Sequence, residues 1–476
     1  MERGELIDIV GKENVFDDPE TLEEHSRDMS LVPTRKPFFV VRPGDANEVQ
    51  GIVKLANKTK TPLIPVSSGP PHFRGDTVPS FSGVVMDLSR MDKIRFVDRL
   101  DRVAMIEPGV RFAELQSALE KEGMKLPAPL CPRSTKSVIG SFLEREPPTI
   151  PKYHLDHGYP LLCAEVIFGT GDLFRTGEAA GPGEPEDRME AGWRHKYPSE
   201  PQTELLRTIQ GSQGSLGIVT WATVKCEVKP TVQRPYFALG SLDDLLEFGY
   251  RLVRLRLCDE LFILNARDMG PMMGAEPEAW ALFFCLSGYN YFPEEKVEYE
   301  EEDARRMARE LSVEVRDSVC GISAEGALKT ATSPSKDPYW KVREKGNCQD
   351  IYFLSSFYNI SRSINSATRA LNEKGIFDIG VYIQPICQGH GHHCELSLFY
   401  DGEDMVEREK VKDAYLSLIT VLMQEGAFFS RPYDLIADMV YSRDQVTKQA
   451  LKRVKGVFDP NDVLNPGKIV PPEVRM

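Results

Sequence analysis

The sequence predicts an α+β protein of two or three domains, and three observations carry that prediction. Short apolar runs of strand type alternate with loops of small residues through the first half of the chain. Beyond about Pro230 the character changes. Strand-like and helix-like segments then alternate, as in helices laid on one antiparallel sheet. A length of 476 residues exceeds what one hydrophobic core usually serves.

Composition narrows the class. The chain is 41% hydrophobic and 27% charged, with a net charge of −14, which fits a globular protein. That acidity excludes sequence-independent nucleic-acid binding, which needs basic surface to neutralise phosphates. Nine cysteines with no C-x-x-C pair fit free thiols in a reducing compartment. No apolar run approaches the ~18 residues of a membrane span, and the first residues lack the apolar core of a signal peptide. The expectation is a soluble, cytoplasmic protein with no membrane span.

Taken in order, residues 4–10 read as a helix followed by an acidic helical turn. Phe38-Phe39-Val40-Val41-Arg42-Pro43 is a strand that stops at a proline. Asp45-Ala46-Asn47-Glu48 caps a helix running through Leu55, with Val49, Ile52, Val53 and Ala56 at helical spacing. Leu63-Ile64-Pro65-Val66 and Gly83-Val84-Val85-Met86-Asp87-Leu88 are buried strands flanking the loop Ser67-Ser68-Gly69-Pro70-Pro71-His72-Phe73-Arg74-Gly75-Asp76. Exposed amides in such a loop can cradle an anion. A strand at 103–110 and a helix over 112–122 lead to a second small-residue loop at 132–141. Ala164-Glu165-Val166-Ile167-Phe168 pairs as a hairpin with Leu173-Phe174-Arg175-Thr176. A third small-residue loop, at 211–217, runs into a strand. Further on, strands are expected at 237–239, 280–287, 313–315, 352–358 and 379–385. Helices are expected at 243–257, 294–311, 363–374, 414–426 and 442–457.

Three small-residue loops in one half of a chain suit a large phosphate-bearing cofactor. The stretches EVQGIVKLAN, VSSGPPHFRGD, GVVMDLSRM, IEPGV, SVIG, AEVIFGTGDLFRTG, GSQGSLGIVT and FDPNDVLNPGK occur in an order and spacing that spans nearly the whole chain. In them the chain resembles the FAD-binding oxidoreductases of the vanillyl-alcohol oxidase / p-cresol methylhydroxylase superfamily, with the 4-alkylphenol-oxidising branch the nearest. The resemblance implies a two-domain fold of the p-cresol methylhydroxylase (PCMH) type. Residues 1–230 would bind FAD, 231–430 would form an α+β cap on an antiparallel sheet, and 431–476 would return to the FAD domain. It also implies that Ser67, Ser68, Gly69, His72, Phe73, Arg74 and Gly75 contact the pyrophosphate, together with Pro132, Ser134, Thr135, Ser137, Val138 and Gly140. Gly214, Gly217, Ile218 and Val219 would line the adenosine and flavin edge, and Asn465 and Lys468 would close the site.

The chain departs from that family in the first loop, where Pro70-Pro71 removes two N–H donors. Arg74 and His72 are expected to supply charge-assisted contacts instead. No acid follows Pro132 where the alkylphenol branch has one. Arg74, Arg133 and Arg431 would make a cationic pocket suited to an anionic substrate. Covalent members carry a histidine or tyrosine where Asp350-Ile351-Tyr352-Phe353 falls. Tyr352 is out of step with it, so FAD is expected to be non-covalent.

Gln388-Gly389-His390-Gly391-His392-His393-Cys394-Glu395 holds three of the eight histidines. On a strand, His390, His392 and Cys394 would face one side, and His393 and Glu395 the other. Three readings stay open: a metal site, a catalytic base beside the flavin, or a structural cluster. Asp156 and His157, ahead of the AEVIF strand, are candidates for orienting substrate or moving a proton. The catalytic expectation thus names His392, His393, Asp156, His157 and Arg431, with no metal. The activity expected is oxidation of a small aromatic or anionic alcohol or phenol, by hydride transfer to flavin N5 while a histidine takes the proton. Two alternatives accompany it: a 2-hydroxy-acid dehydrogenase with a metal at His390/His392, and an FAD-poor subunit of a larger redox complex. An electron-carrier protein or partner subunit, and a homo-oligomer, are the expected associations.

Overall fold

The computed structural model describes residues 1–75, 77–151, 160–181, 183–192, 205–274, 277 and 280–469. The chain first builds a four-stranded sheet in the order Val15–Phe16, Phe39–Val41, Val84–Asp87, Leu63–Val66. Its last three strands are parallel, with Val40 opposite Val85 and Val85 opposite Ile64. Parallel neighbours need a crossover, and the helix Ala46–Thr59 provides the one from Phe39–Val41 to Leu63–Val66. Asp45 caps it by accepting from the Glu48 amide, and Val49, Ile52, Val53 and Ala56 are buried as their spacing predicts. The helix runs one turn beyond the expected end at Leu55.

A five-stranded antiparallel sheet follows, in the order Ile94–Asp98, Val103–Ile106, Gly217–Lys225, Leu161–Phe168, Leu173–Arg175. The expected hairpin is there, with Glu165 opposite Arg175. The stretch 132–141 was expected as loop throughout. Its second half instead opens a short helix, Val138–Leu143, because the Ser137 hydroxyl accepts from the Gly140 amide and caps it.

The cap is a seven-stranded, wholly antiparallel sheet. Its order is Glu314–Arg316, Val232–Gly240, Trp280–Gly288, Cys258–Leu264, Ile379–Ile386, Gly391–Asp401, Gly346–Ser355. The helices Leu242–Leu255, Pro293–Glu310, Ile360–Glu373 and Met405–Gln424 bury apolar stripes against one face. The other face, with Phe262, Phe283 and Trp340, turns toward the first domain and meets Leu130 and Cys131. The strand Cys258–Leu264 and the helices Ala266–Met273 and Ala324–Thr332 were not anticipated. The first follows a helix with no turn signal between, since Arg256 itself takes the left-handed conformation that ends it.

Domain and cap are pinned by backbone bonds: Leu261 N to Thr149 O at 2.8 Å, Cys131 N to Ala331 O at 2.7 Å and Ser335 N to Pro132 O at 2.7 Å. A buried cluster adds to them, with Lys125 Nζ 2.9 Å from Glu260 and 3.3 Å from Asp259. The tail returns to the first sheet. Leu63 N donates to Val463 O and Asn465 N to Leu63 O, each at 2.7 Å. Among the described residues no helix is long and apolar enough to cross a membrane.

Candidate active site

A cleft opens between the first domain and the cap. The space between its walls, open mouth included, is about 1580 Å³. Residues 65–74, 129–147 and 209–219 supply walls from the first domain, and the cap contributes Tyr339, Trp340, Lys341, Asp350, Tyr382, His393 and Glu395. Arg431 and Tyr433 come from the returning segment. Behind them lies a smaller chamber of about 400 Å³. Arg74, Asp350, Arg431 and Tyr433 line both spaces.

Charge is unevenly compensated in the cleft. Arg74 is ion-paired with both Glu144 and Glu146. Lys136 Nζ lies 2.9 Å from both Glu144 oxygens and 3.5 Å from Glu146. Against the cost of burial, these cations hold both carboxyls below the usual range, Glu146 far below it. Arg431 is 4% exposed, and its Nε and Nη1 have no hydrogen-bond partner among the described residues. Its guanidinium lies over the Tyr352 ring, 4.6 Å from the centroid, and that of Arg74 lies 5.0 Å from the same ring.

Cap side chains form the opposite wall. Alternation on Gly391–Asp401 sends His393 and Glu395 into the cleft. His393 Nε2 is 3.3 Å from Glu395 Oε2, and its ring packs against Tyr352 and Tyr382 at 6.0 and 5.8 Å. Burial pushes the His393 imidazole down to about 4, so it is neutral at physiological pH. Lys341 Nζ donates to Asp350 Oδ1 at 2.6 Å and is ion-paired with Glu395. Burial likewise lifts the Tyr352 phenol well above its ordinary range, so it stays protonated.

The structure brings together part of the expected set. Ser67, Ser68, His72, Phe73, Arg74, Pro132, Gly140, Gly214, Gly217, Ile218 and Val219 line the cleft, as do His393 and Arg431. Gly69, Gly75, Ser134, Thr135, Ser137, Val138, Asn465 and Lys468 stand behind it. The Gly69 amide is used on Thr135 O at 2.9 Å, and the Gly75 amide on Asp28 Oδ2. Ser134 Oγ donates to Asp337, Asn465 Nδ2 to Gln213 O, and Lys468 Nζ to Gly75 O at 2.7 Å. These residues brace the loops. His392 points away from the cleft, its ring 6.0 Å from Phe357, because it is one residue out of phase with His393. Asp156 and His157 lie outside the described residues. No group of three or more His, Cys, Asp or Glu among the described residues is arranged to hold a metal, so His390/His392 finds no third ligand there. Sequence reasoning gave no role to Lys136, Glu144, Glu146, Lys341, Tyr382 or Tyr433. Glu395 was quoted beside the histidines without a role.

The residues present fit FAD. Residues of the cleft wall carry buried polar atoms without a hydrogen-bond partner among the described residues, Ser212 Oγ and Gln213 Oε1. Arg133 bonds carbonyls and the Thr135 hydroxyl, with Gly69 O at 3.1 Å, and makes no ion pair among the described residues, Glu144 and Glu146 acting on it without a direct bond. Gly214 takes φ +69°, and a Cβ there would meet Pro65 Cγ at 2.4 Å, which lets the 211–217 loop close on the 63–66 strand. Among the described residues Arg133 is thus the arginine beside the first loop without an ion pair, whereas Arg74 is committed to Glu144 and Glu146.

Fold and cleft define a two-domain flavoprotein oxidoreductase, with a nucleotide cleft roofed by an antiparallel cap. Residues 37–147 match the FAD binding domain family and residues 433–469 match the C-terminal domain of FAD linked oxidases. The chain thus carries the FAD-binding domain and the C-terminal domain of FAD-linked oxidoreductases. It is 24% identical to the glycolate oxidase subunit GlcD of Bacillus subtilis (strain 168), over 99% of this chain and 97% of that one. It is 23% identical to D-2-hydroxyglutarate dehydrogenase of Stutzerimonas stutzeri (strain A1501), over 98% of each. In structure it is similar to p-cresol methylhydroxylase with substrate bound: TM-score 0.85, 19% identity, covering 98% of this chain and 96% of that one. The protein is therefore an FAD-dependent enzyme, and the alternative of an FAD-poor subunit is set aside.

Proposed function

We propose that this enzyme oxidises a small hydroxylated anion, a 2-hydroxycarboxylate in preference to a phenol. The observation that carries the reading is Arg431, a buried guanidinium with unpartnered N–H groups at the wall between cleft and chamber. Leaving such a group unpaired is costly, and a carboxylate satisfies it with charge-assisted bonds. Two relatives matched over nearly their whole length are named for glycolate and D-2-hydroxyglutarate, both 2-hydroxy acids, which supports the same class.

FAD, when bound, supplies the two-electron oxidation. The chain's own residues do the rest. Arg431 binds and orients the anionic end. Neutral His393 takes the hydroxyl proton at Nδ1 while Nε2–H donates to Glu395. Tyr352 and Tyr382 pack against His393 and keep water from it. A phenol is the second reading, favoured by these tyrosines and by the structural likeness to p-cresol methylhydroxylase.

Anaerobic mixing of the FAD-loaded enzyme with glycolate, longer 2-hydroxy acids and 4-alkylphenols, read as loss of flavin absorbance, separates the two. Reduction by a hydroxy acid is expected, and reduction by phenols alone overturns the assignment. Admitting air afterwards reads the acceptor. Slow reoxidation supports a partner electron carrier, and fast reoxidation supports oxygen.

A further inference from the structure

The described mechanism leaves the buried ammonium of Lys341 unused. Lys341 sits in the Trp340–Val342 turn, 4% exposed, and lines the cleft. Its Nζ joins two carboxylates on neighbouring strands, Asp350 of Gly346–Ser355 and Glu395 of Gly391–Asp401. Glu395 in turn meets His393. Three groups therefore share the charge of one cluster, and a fourth, the imidazole, touches it through Glu395 alone.

We propose that Lys341 is a positioning residue that keeps His393 neutral by absorbing the charge of Glu395 and Asp350. Without the ammonium, the two buried carboxylates would lose the one cation bonded directly to both, leaving Arg74 to act on Asp350 without a direct bond. Burying such a pair unpaired is costly, and a proton on His393 is the nearest remedy. With the ammonium in place, Glu395 accepts a hydrogen bond from Nε2 without drawing a proton onto Nδ1, and Nδ1 remains an acceptor.

The surroundings agree. Tyr352 and Tyr382, packed on the ring from the two flanking strands, stay protonated and neutral. Arg74 and Arg431 both oppose a charge on the imidazole. From the helix Ala266–Met273, Asp268 adds a carboxyl that burial lifts to about 7, so it is largely uncharged below neutrality. Lys341 is thus the cation bonded directly to the carboxylate that His393 contacts.

The proposal rests on His393 as the proton acceptor, and its test is independent of turnover. Histidine-selective ¹⁵N labelling of the FAD-loaded enzyme, with His393→Gln to assign the resonance, reads the ring's protonation against pH. In Lys341→Met the His393 pKa is expected to rise by about 1–3 units, the size of a nearby charge's effect. Lys341→Arg should return it toward the wild-type value. An unchanged His393 in Lys341→Met overturns the proposal. Should that variant not fold, Lys341→Gln with Asp350→Asn leaves Glu395 as the cluster's one charge. The same rise is expected there, and an unchanged titration of His393 overturns the proposal equally. Full activity in His393→Gln would sink the base assignment instead, leaving the titration result to stand by itself.

Discussion

At the scale of single residues, the question is which arginine is free. Sequence reading picked out Arg74, Arg133 and Arg431 as a cationic set, and all three line the cleft. It had no means of seeing that Glu144 and Glu146, about 70 residues from Arg74, would neutralise that one. The difference is testable. Arg133→Ala should weaken FAD binding ~10–100-fold, the worth of a hydrogen bond to a charged group, in a fluorescence titration of flavin-free protein. Arg74→Ala should lower the melting temperature more than it lowers FAD affinity, because it strips a partner from two buried carboxylates. If flavin affinity follows Arg74 and ignores Arg133, the reassignment is wrong. Tyr352 bears on the flavin link. Its phenol is held protonated and covered by two guanidiniums, which leaves it a poor nucleophile. FAD is therefore expected to be released wholly into the supernatant on acid precipitation, and flavin remaining in the pellet would refute non-covalent binding.

At the scale of elements, alternation decides what a cluster can do. The run of histidines was legible, and so was the rule that neighbours on a strand face opposite ways. That the run is a strand at all depends on its pairing with Ile379–Ile386 and Gly346–Ser355. The same sheet explains Gly380. It lies opposite Ser397, and a Cβ there would meet Asp268 Oδ1 at 1.9 Å, so the glycine makes room for a buried carboxyl. Gly380→Ala should lower stability by about 1–3 kcal/mol, as overpacking does, and shortening the neighbour with Asp268→Ala should recover part of it. Thermal unfolding of the two variants checks this, and an unchanged melting temperature in Gly380→Ala would refute the close approach.

At the scale of the whole molecule, burial of neutral imidazoles sets the acid limit. His392 is pushed down to about 4 by burial alone. Between pH 6.5 and 4 the unfolded chain binds a proton there that the folded chain does not, so stability falls as pH falls. The slope is at most ~1.4 kcal/mol per pH unit for this group. His392→Gln should remove that slope, and urea unfolding of both proteins at pH 7 and pH 5 measures it. An equal loss in both would place the acid sensitivity elsewhere. The sequence by itself determined the three parallel strands of the first sheet with their crossover helix, the hairpin at 164–176 and the small-residue loops, though not the strand Ile94–Asp98 or the helix Val138–Leu143. The resemblance those loops carry then pointed to FAD. These are local signals: capping residues, spacing of apolar side chains and turn residues close together in the chain. Tertiary structure decided which charges cancel, which face of the histidine strand meets the cleft, and that Lys341 stands behind Glu395. Those outcomes depend on side chains brought together from distant segments, and in a buried site the energy of a charge is set by its neighbours in space.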